Sequence, residues 1–280
     1  MSVTNDASGA LRQFDAPRVA VSSARALSRT HHAPSTGAKA KPATGDIESA
    51  GAGAPPGSVD PRLVIWLSPS FPVGAFAYSH GLELAADRGW ISNSADLLAW
   101  LADLVACGSM RNDMIVLAAA WRAVAASDFA ALADANDLAL ALQPSAERRL
   151  ETVTQGNAFL ATLGAAWPAD DLPAVARAVH ADVAYPIAVG AGTAAHAVAL
   201  GGVLQAYGIA FVTNLVSAAI RLSVVGQTDG QRALASLMGA VTDVAQGALS
   251  ATLDDIGSAT LRSDLASLAH ETQYSRLFRS

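Results

Sequence analysis

From Leu63 onwards, large apolar residues recur at steps of three and four, and no segment alternates apolar and polar residues as a half-buried strand does. The spacing is regular in a run made up of Leu97, Leu98, Leu101, Leu104 and Val105. Apolar residues make up 52% of the chain, which is enough for a sizeable core. The pattern predicts one all-α domain over residues 59–280, with roughly eight to ten helices.

Capping residues indicate where several helices begin. Ser94 is the expected cap of the helix that holds the leucine run. Asp128 and Ser145 are placed to cap helices that end near Leu142 and Ala165. The apolar spacing predicts further helical segments over 113–126, 171–183, 187–203, 208–225, 229–249 and 255–269.

The segment 187–220 carries no charged residue, and its 34 residues exceed the roughly 20 that span a bilayer. Its glycines and polar residues, such as His196 and Gln205, oppose insertion. We therefore expect two buried helices, either within the chain's own core or at a subunit interface. Small residues such as Gly190 would allow these helices to pack closely. A membrane-associated helical protein is the alternative interpretation.

Residues 1–58 are rich in Ala, Ser, Thr, Gly and Pro and show no sustained apolar period, so we expect a disordered extension. The net charge of −6 does not suit a nucleic-acid backbone. A single cysteine, Cys107, excludes an internal disulfide and an all-cysteine metal site, and it fits a reduced, cytoplasmic setting.

Motifs of common enzyme classes are missing from the sequence. It contains no GxxxxGK[ST] loop, so we expect no nucleotide site of that kind, and no HExxH, CxxC or GxSxG. His80 and Glu83 are three residues apart, a spacing that would let them share a proton on one helix face. An all-α enzyme that uses this pair is a second alternative. His180, His196 and His270 are dispersed and are expected to be structural.

Two segments differ from ordinary core helices. Residues 66–83 combine aromatic residues with two prolines and two glycines, so they cannot form one regular helix. Residues 270–280 end with Tyr274, Leu277 and Phe278 beside two arginines, which are residue types found at binding surfaces. This tail either presents those side chains to a partner or docks on its own core.

Four blocks in these regions resemble, in order, the UreF family of urease accessory proteins. They are LSPSFPVG at 67–74, SHGLE at 79–83, the block from Arg221 to Gln231 that contains GQTDGQ, and ETQYSRLFRS at 271–280. YPIAVG at 185–190 is a weaker match. The resemblance covers residues 63–280 and leaves the first 58 residues outside it.

The resemblance implies an all-α, cytoplasmic, homodimeric and non-enzymatic protein. Members of the family bridge the accessory protein UreD, called UreH in some organisms, to the GTPase UreG, and help to deliver nickel into apo-urease. It implies no catalytic residue, no metal ligand and no cofactor in this chain, with nickel and GTP handled through the complex. No lysine follows Lys41, so an action on the GTPase would need an arginine or a conformational effect.

The resemblance also implies the residues that bind partners. The C-terminal segment is assigned mainly to UreD, and the segments 71–83 and 221–231 lie nearer the dimer or UreG surface. The residues are Phe71, Pro72, Tyr78, Ser79, His80, Glu83, Arg221, Gln227, Glu271, Gln273, Tyr274, Arg276, Leu277 and Phe278.

Overall fold

Eleven α-helices and two short 3-10 helices make up the regular structure in the computed structural model, which describes residues 59–280. The predicted extension over 1–58 lies outside the described residues. No strand occurs in the described part, so the predicted all-α class is confirmed. The helices are α1 Pro61–Trp66, α2 Leu82–Asp87, α3 Ser94–Cys107, α4 Ser109–Ala125, α5 Phe129–Ala141, α6 Ala146–Ala166, α7 Leu172–Ala178, α8 Tyr185–Ala195, α9 Leu200–Arg221, α10 Gln227–Ala248 and α11 Leu261–His270; the 3-10 helices are Ala75–Ala77 and Leu253–Asp255.

Helix α8 lies at the centre of the bundle, packed against α4 and α6. Every residue from Pro186 to Thr193 is buried, as expected for a short helix covered on all sides. At Gly190 a Cβ atom would overlap the Leu117 carbonyl oxygen of α4, so only glycine permits this close approach. The predicted role of small residues in this region is confirmed at this position.

Two of the predicted caps are confirmed and one shifts by a residue. The Asp128 side chain accepts a hydrogen bond from the Ala131 amide at the start of α5. Ser145 accepts one from the Arg148 amide at the start of α6. Asn93, and not Ser94, caps α3, because its side-chain oxygen accepts from two amides of the first turn.

The predicted break between residues 203 and 208 is wrong. The chain turns at 196–199, where Ala197 has φ of +53° and the Trp121 indole donates to the Val198 carbonyl oxygen at 2.9 Å. The glycines after Ala199 lie inside α9 because packing on neighbouring helices outweighs their low helix propensity. Helix α7 also ends at Ala178 rather than 183, and α11 begins at Leu261 rather than 255.

Helix α9 is, among the described helices, the one long and apolar enough to cross a membrane. In the structure 56% of its most apolar window is buried, and it packs against α4 and α10. A core helix of this kind passes the same test of length and composition as a membrane span. Its position matches the predicted buried helix.

Candidate functional site

Residues 66–83 form a folded loop that brings three of their aromatic side chains into the core. Helix α1 ends at Trp66, the 3-10 helix Ala75–Ala77 follows, and α2 begins at Leu82, so the predicted interruption is confirmed. Trp66, Phe71 and Tyr78 are buried, whereas Phe76 is exposed. Pro72 is also exposed, on the outer side of the loop.

A left-handed turn links this loop to α2. His80 and Gly81 have φ of +56° and +76°, a region that glycine adopts freely and other residues rarely. A Cβ atom on Gly81 would lie 2.8 Å from the backbone nitrogen of Ser267 in α11, so the turn also allows α11 to pack close to α2. Ser79 and Glu83 on either side of the turn both contact the C-terminal tail, residues 271–280.

The C-terminal tail docks on this loop through its backbone. Both the N–H and the O–H of Ser79 donate to the backbone oxygen of Ser280, at 2.8 and 2.5 Å. The Arg279 N–H donates to the Ala77 carbonyl oxygen at 2.8 Å. These bonds join segments about 200 residues apart in the sequence.

The buried carboxylate of Glu83 is the main anchor of the tail. Its Oε1 accepts from the Leu277 N–H at 2.6 Å, and its Oε2 accepts from the Phe278 N–H at 2.9 Å. His270 adds a third contact, Nε2 to Oε2, at 3.2 Å. Hydrogen bonds to an ionised carboxylate are stronger than those between neutral groups, so Glu83 binds the tail backbone firmly.

His270 connects the tail anchor to α6. The ring is fully buried, and its Nδ1 lies 2.6 Å from the Glu147 carboxylate. Glu147 also forms an ion pair with Arg276. Glu271 accepts a hydrogen bond from the Ala146 amide at 2.7 Å, where the α6 dipole favours a negative charge.

A second buried cluster surrounds Glu151, one turn further along α6. Its carboxylate accepts from His80 Nε2 at 2.8 Å, from Arg148 Nη1 at 2.5 Å and from the Ser280 hydroxyl at 2.7 Å. Burial alone would raise the pKa of Glu151, but Arg148, His80 and Ser280 outweigh it and lower the pKa to about 2. Burial and the nearby Arg148 lower the pKa of His80.

A cavity of about 580 Å³ opens beside the Glu151 cluster. Its apolar lining comes mainly from α9 and from the loop 67–76, with two residues of α1, and its polar lining includes His80, Asp113, Arg148 and Glu151. The Tyr207 hydroxyl donates to the Asp113 carboxylate at 2.9 Å. Burial raises the pKa of Asp113 to about 6. The His80 Nδ1 atom is buried and has no partner among the described residues.

Arg221, at the end of α9, joins the tail to the 66–83 loop. Its guanidinium carbon lies 3.5 Å from the centroid of the Phe76 ring and 4.3 Å from that of Phe278. Such cation–π contacts hold the guanidinium between the two rings. Gln227, exposed at the start of α10, lines a smaller cavity together with Arg221.

The three apolar side chains of the tail have different environments. Tyr274 is fully exposed and Leu277 is 64% exposed, but Phe278 is only 3% exposed. The expectation that Phe278 faces a partner is therefore wrong, because its ring packs on Arg221 and its N–H is bound by Glu83. Gln273, which precedes Tyr274, is half-buried.

The predicted proton-sharing pair of His80 and Glu83 does not form. His80 lies in the turn before α2 and binds Glu151, whereas Glu83 binds His270 and the tail. An enzyme built on that pair has no support in this geometry. The prediction that His196 and His270 are structural is confirmed: His196 bonds to two carbonyl oxygens, and His270 lies between two carboxylates.

Sequence reasoning missed Glu147, Arg148 and Glu151. Their spacing of three and four on α6 is a signal of side-chain pairing on one helix face. It does not show that the face is buried, because solvated helices carry the same pattern. Within residues 59–280, no group of three or more His, Cys, Asp or Glu side chains is arranged to hold a metal ion.

Comparisons of the sequence with known proteins identify its relatives. The sequence model of the UreF family matches residues 91–238. The chain is 52% identical to urease accessory protein UreF of Methylobacterium radiotolerans, over 78% of this chain and 96% of that one. It is 55% identical to that of Methylorubrum populi, over 78% and 98%, and 52% identical to that of Azorhizobium caulinodans, over 81% and 97%. This chain belongs to the UreF family of urease accessory proteins.

Proposed function

We propose that this chain is a cytoplasmic, non-enzymatic scaffold in urease maturation. It bridges UreD (UreH) to the GTPase UreG, so that GTP hydrolysis on UreG is coupled to nickel delivery into apo-urease. The complex delivers nickel and UreG hydrolyses GTP, and the chain needs no cofactor of its own. Membership of the UreF family supports the accessory role.

One observation carries the proposal: α11 exposes its three leucines, while its buried face holds two serines and a histidine. Leu261, Leu265 and Leu268 are 68%, 49% and 47% exposed and recur at steps of four and three on one face. The buried face of α11 consists of Ser263, Ala266, Ser267 and His270. A helix with its apolar stripe turned to solvent is typical of a surface that a partner covers.

The tail extends this apolar character beyond α11. Tyr274 and Leu277 are exposed, while Glu83 binds the backbone at Leu277 and Phe278 and Ser79 binds it at Ser280. A fixed backbone lowers the entropy that a partner must remove on binding. We assign these five exposed side chains, named here the C-terminal apolar set (Leu261, Leu265, Leu268, Tyr274 and Leu277), to the contact with UreD.

A second group of exposed aliphatic side chains supports a homodimer. Val64 and Ile65 on α1 and Ile209 on α9 are exposed, and α1 contacts α9. Val64 and Ile209 also line the larger cavity. We assign this face to a second copy of the chain, and the Arg221 region to the surface nearer UreG.

The proposal is tested by co-purification of the full-length chain with UreD and UreG from the same organism. We expect UreD and UreG to be recovered together only when this chain is present. The complex should then activate apo-urease in the presence of nickel and GTP, and omission of the chain should abolish activation. Recovery of a UreD–UreG complex without the chain, or equal activation without it, would overturn the bridging role.

A further inference from the structure

The larger cavity, with a volume of about 580 Å³, has the size of a small-molecule site. Most of its lining side chains are apolar, and they include the rings of Phe71, Tyr185, Tyr207 and Phe211. Sites for small molecules combine an apolar lining of this kind with a few polar groups that fix the orientation of the ligand. The contacts proposed with UreD, UreG and a second copy leave the polar groups of this cavity unused.

The charged residues of the lining leave one negative charge without a partner near pH 7.5. They are His80, Asp113, Arg148 and Glu151. Arg148 and Glu151 form an ion pair, Nη1 to Oε2, at 2.5 Å, so their charges offset each other. Burial and Arg148 lower the pKa of His80, so its ring is neutral at this pH. The pKa of Asp113 is about 6, so its carboxylate is ionised.

Asp113 is bonded through only one of its carboxylate oxygens. Its Oδ2 accepts from the Tyr207 hydroxyl at 2.9 Å, whereas its Oδ1 accepts no hydrogen bond within residues 59–280. The side chain is half-buried and lines the cavity, and Oδ1 is not among the fully enclosed polar atoms that lack a partner. No ion pair in the described range includes Asp113. An accessible, ionised oxygen is therefore free to accept from a ligand.

A positively charged group on an apolar body matches this lining. An ammonium group supplies both a charge and a hydrogen bond to Asp113, and the faces of aromatic rings attract such cations. A carboxylate or a phosphate would bring a second negative charge beside Asp113. A metal ion has no apolar body, and no group of three or more His, Cys, Asp or Glu side chains among the described residues is arranged to hold one. The thin stem of a partner's lysine would leave most of the cavity empty, which favours a free small molecule.

We propose that this cavity binds a small organic amine, with its ammonium group at Asp113 and its apolar body against α9 and the loop 67–76. The ammonium group donates to Oδ1 of Asp113, while the Tyr207 hydroxyl continues to donate to Oδ2. The ligand binds reversibly and undergoes no reaction. This site goes beyond the role in urease maturation and does not depend on it, so either proposal can fail without the other.

Isothermal titration calorimetry of the full-length chain at about pH 7.5 tests the site with two probes of nearly equal shape. Tryptamine carries an ammonium group where tryptophol carries a hydroxyl, and both share the same indole ring. We expect tryptamine to bind with a Kd below about 1 mM, at about one molecule per chain. Tryptophol should bind about tenfold or more weakly, because it brings no charge to Asp113. Methylamine, which has the charge without the apolar body, should show no binding up to about 10 mM.

The Asp113→Asn variant removes the negative charge and keeps an acceptor for Tyr207. We expect it to bind tryptamine about tenfold or more weakly than wild type, and tryptophol about equally well. Asp103→Asn, at an exposed aspartate of α3, is the matched control and should bind both probes like wild type. Circular dichroism verifies folding, and if Asp113→Asn does not fold, the two probes on the wild-type chain decide. Absence of saturable tryptamine binding, equal wild-type affinities for the two probes, or an unchanged tryptamine affinity of folded Asp113→Asn would overturn the site.

Discussion

The Glu83 carboxylate accepts a hydrogen bond from the Phe278 amide at 2.9 Å, although the two residues are 195 positions apart. The same oxygen faces His270, and the other oxygen accepts from Leu277. The tail is thus part of the folded domain rather than an appended peptide. The exposed side chains of the C-terminal apolar set depend on this bonding for their position.

Replacing Glu83 by alanine should destabilise the domain strongly. The variant leaves two backbone N–H groups and His270 without an acceptor in a buried place, so we expect the free energy of unfolding to fall by about 3 kcal/mol. Glu83→Gln should cost less, because its amide oxygen still accepts one bond from the tail. Urea titrations followed by circular dichroism measure both variants. Tyr274→Ala is the control and should change the free energy of unfolding by less than about 0.5 kcal/mol. A Glu83→Ala variant as stable as wild type would contradict the anchoring role.

Removing residues 271–280 should lower stability rather than leave the body unchanged. The deletion takes away the tail donors to Glu83 and the Ser280 hydroxyl that binds Glu151, and it uncovers one side of Arg221. We expect the melting temperature to fall by about 10 °C. Leu277→Ser keeps the backbone hydrogen bonds, so its melting temperature should lie within about 2 °C of the wild-type value. A deletion variant that melts like wild type would show that the tail contributes nothing to the fold.

Asp113 should make stability depend on pH in a defined direction. Burial raises its pKa from 3.8 to about 6, so between these values the folded chain binds a proton that the unfolded chain releases. The contribution of Asp113 to stability therefore falls as pH rises from about 4 to about 6 and stays low above that range. Asn at this position is neutral at every pH and still accepts from Tyr207. Asp113→Asn should match wild type near pH 4 and exceed it by up to about 3 kcal/mol at pH 7.5. A stability difference between the two proteins that does not vary with pH would refute this explanation.

Ile209→Asp should dissociate the proposed homodimer. The substitution places a charge among the exposed aliphatic side chains of α1 and α9, where a second copy would bury it without a partner. We expect light scattering after gel filtration to give half the wild-type mass, with unchanged helical content. Leu150→Asp, at an exposed leucine of α6, is the control and should leave the mass unchanged. An Ile209→Asp variant with the wild-type mass would argue against this face as the dimer contact.

The helices could be predicted largely from local rules. Apolar spacing and side-chain caps act within one or two turns, and Asp128 and Ser145 cap the helices as expected. The break between α8 and α9 could not be placed in this way. Packing keeps the glycines of α9 helical, while the turn occurs at Ala197, where no proline or glycine marks it.

The charged interior of the site could not be predicted, because its pairs are distant in sequence. The sequence singled out Glu83 and the tail separately, but their contact spans more than 190 residues. Glu147, Arg148 and Glu151 read as a solvated helix face, but His80, His270 and Ser280 reach this face from segments that are distant in the sequence. Phe278 was expected at the surface for the same reason: a local sequence does not reveal that Arg221 lies above it.

Binding of UreD to the C-terminal apolar set tests the central claim most directly. The measurement compares the affinity of purified UreD for the full-length wild-type chain with its affinity for Leu265→Asp and Leu277→Asp, two exposed positions whose backbone contacts are kept. We predict that each substitution weakens binding by about tenfold or more, while Leu150→Asp does not. Wild-type affinity in both variants, with their helical content intact, would contradict the assignment of this surface to UreD.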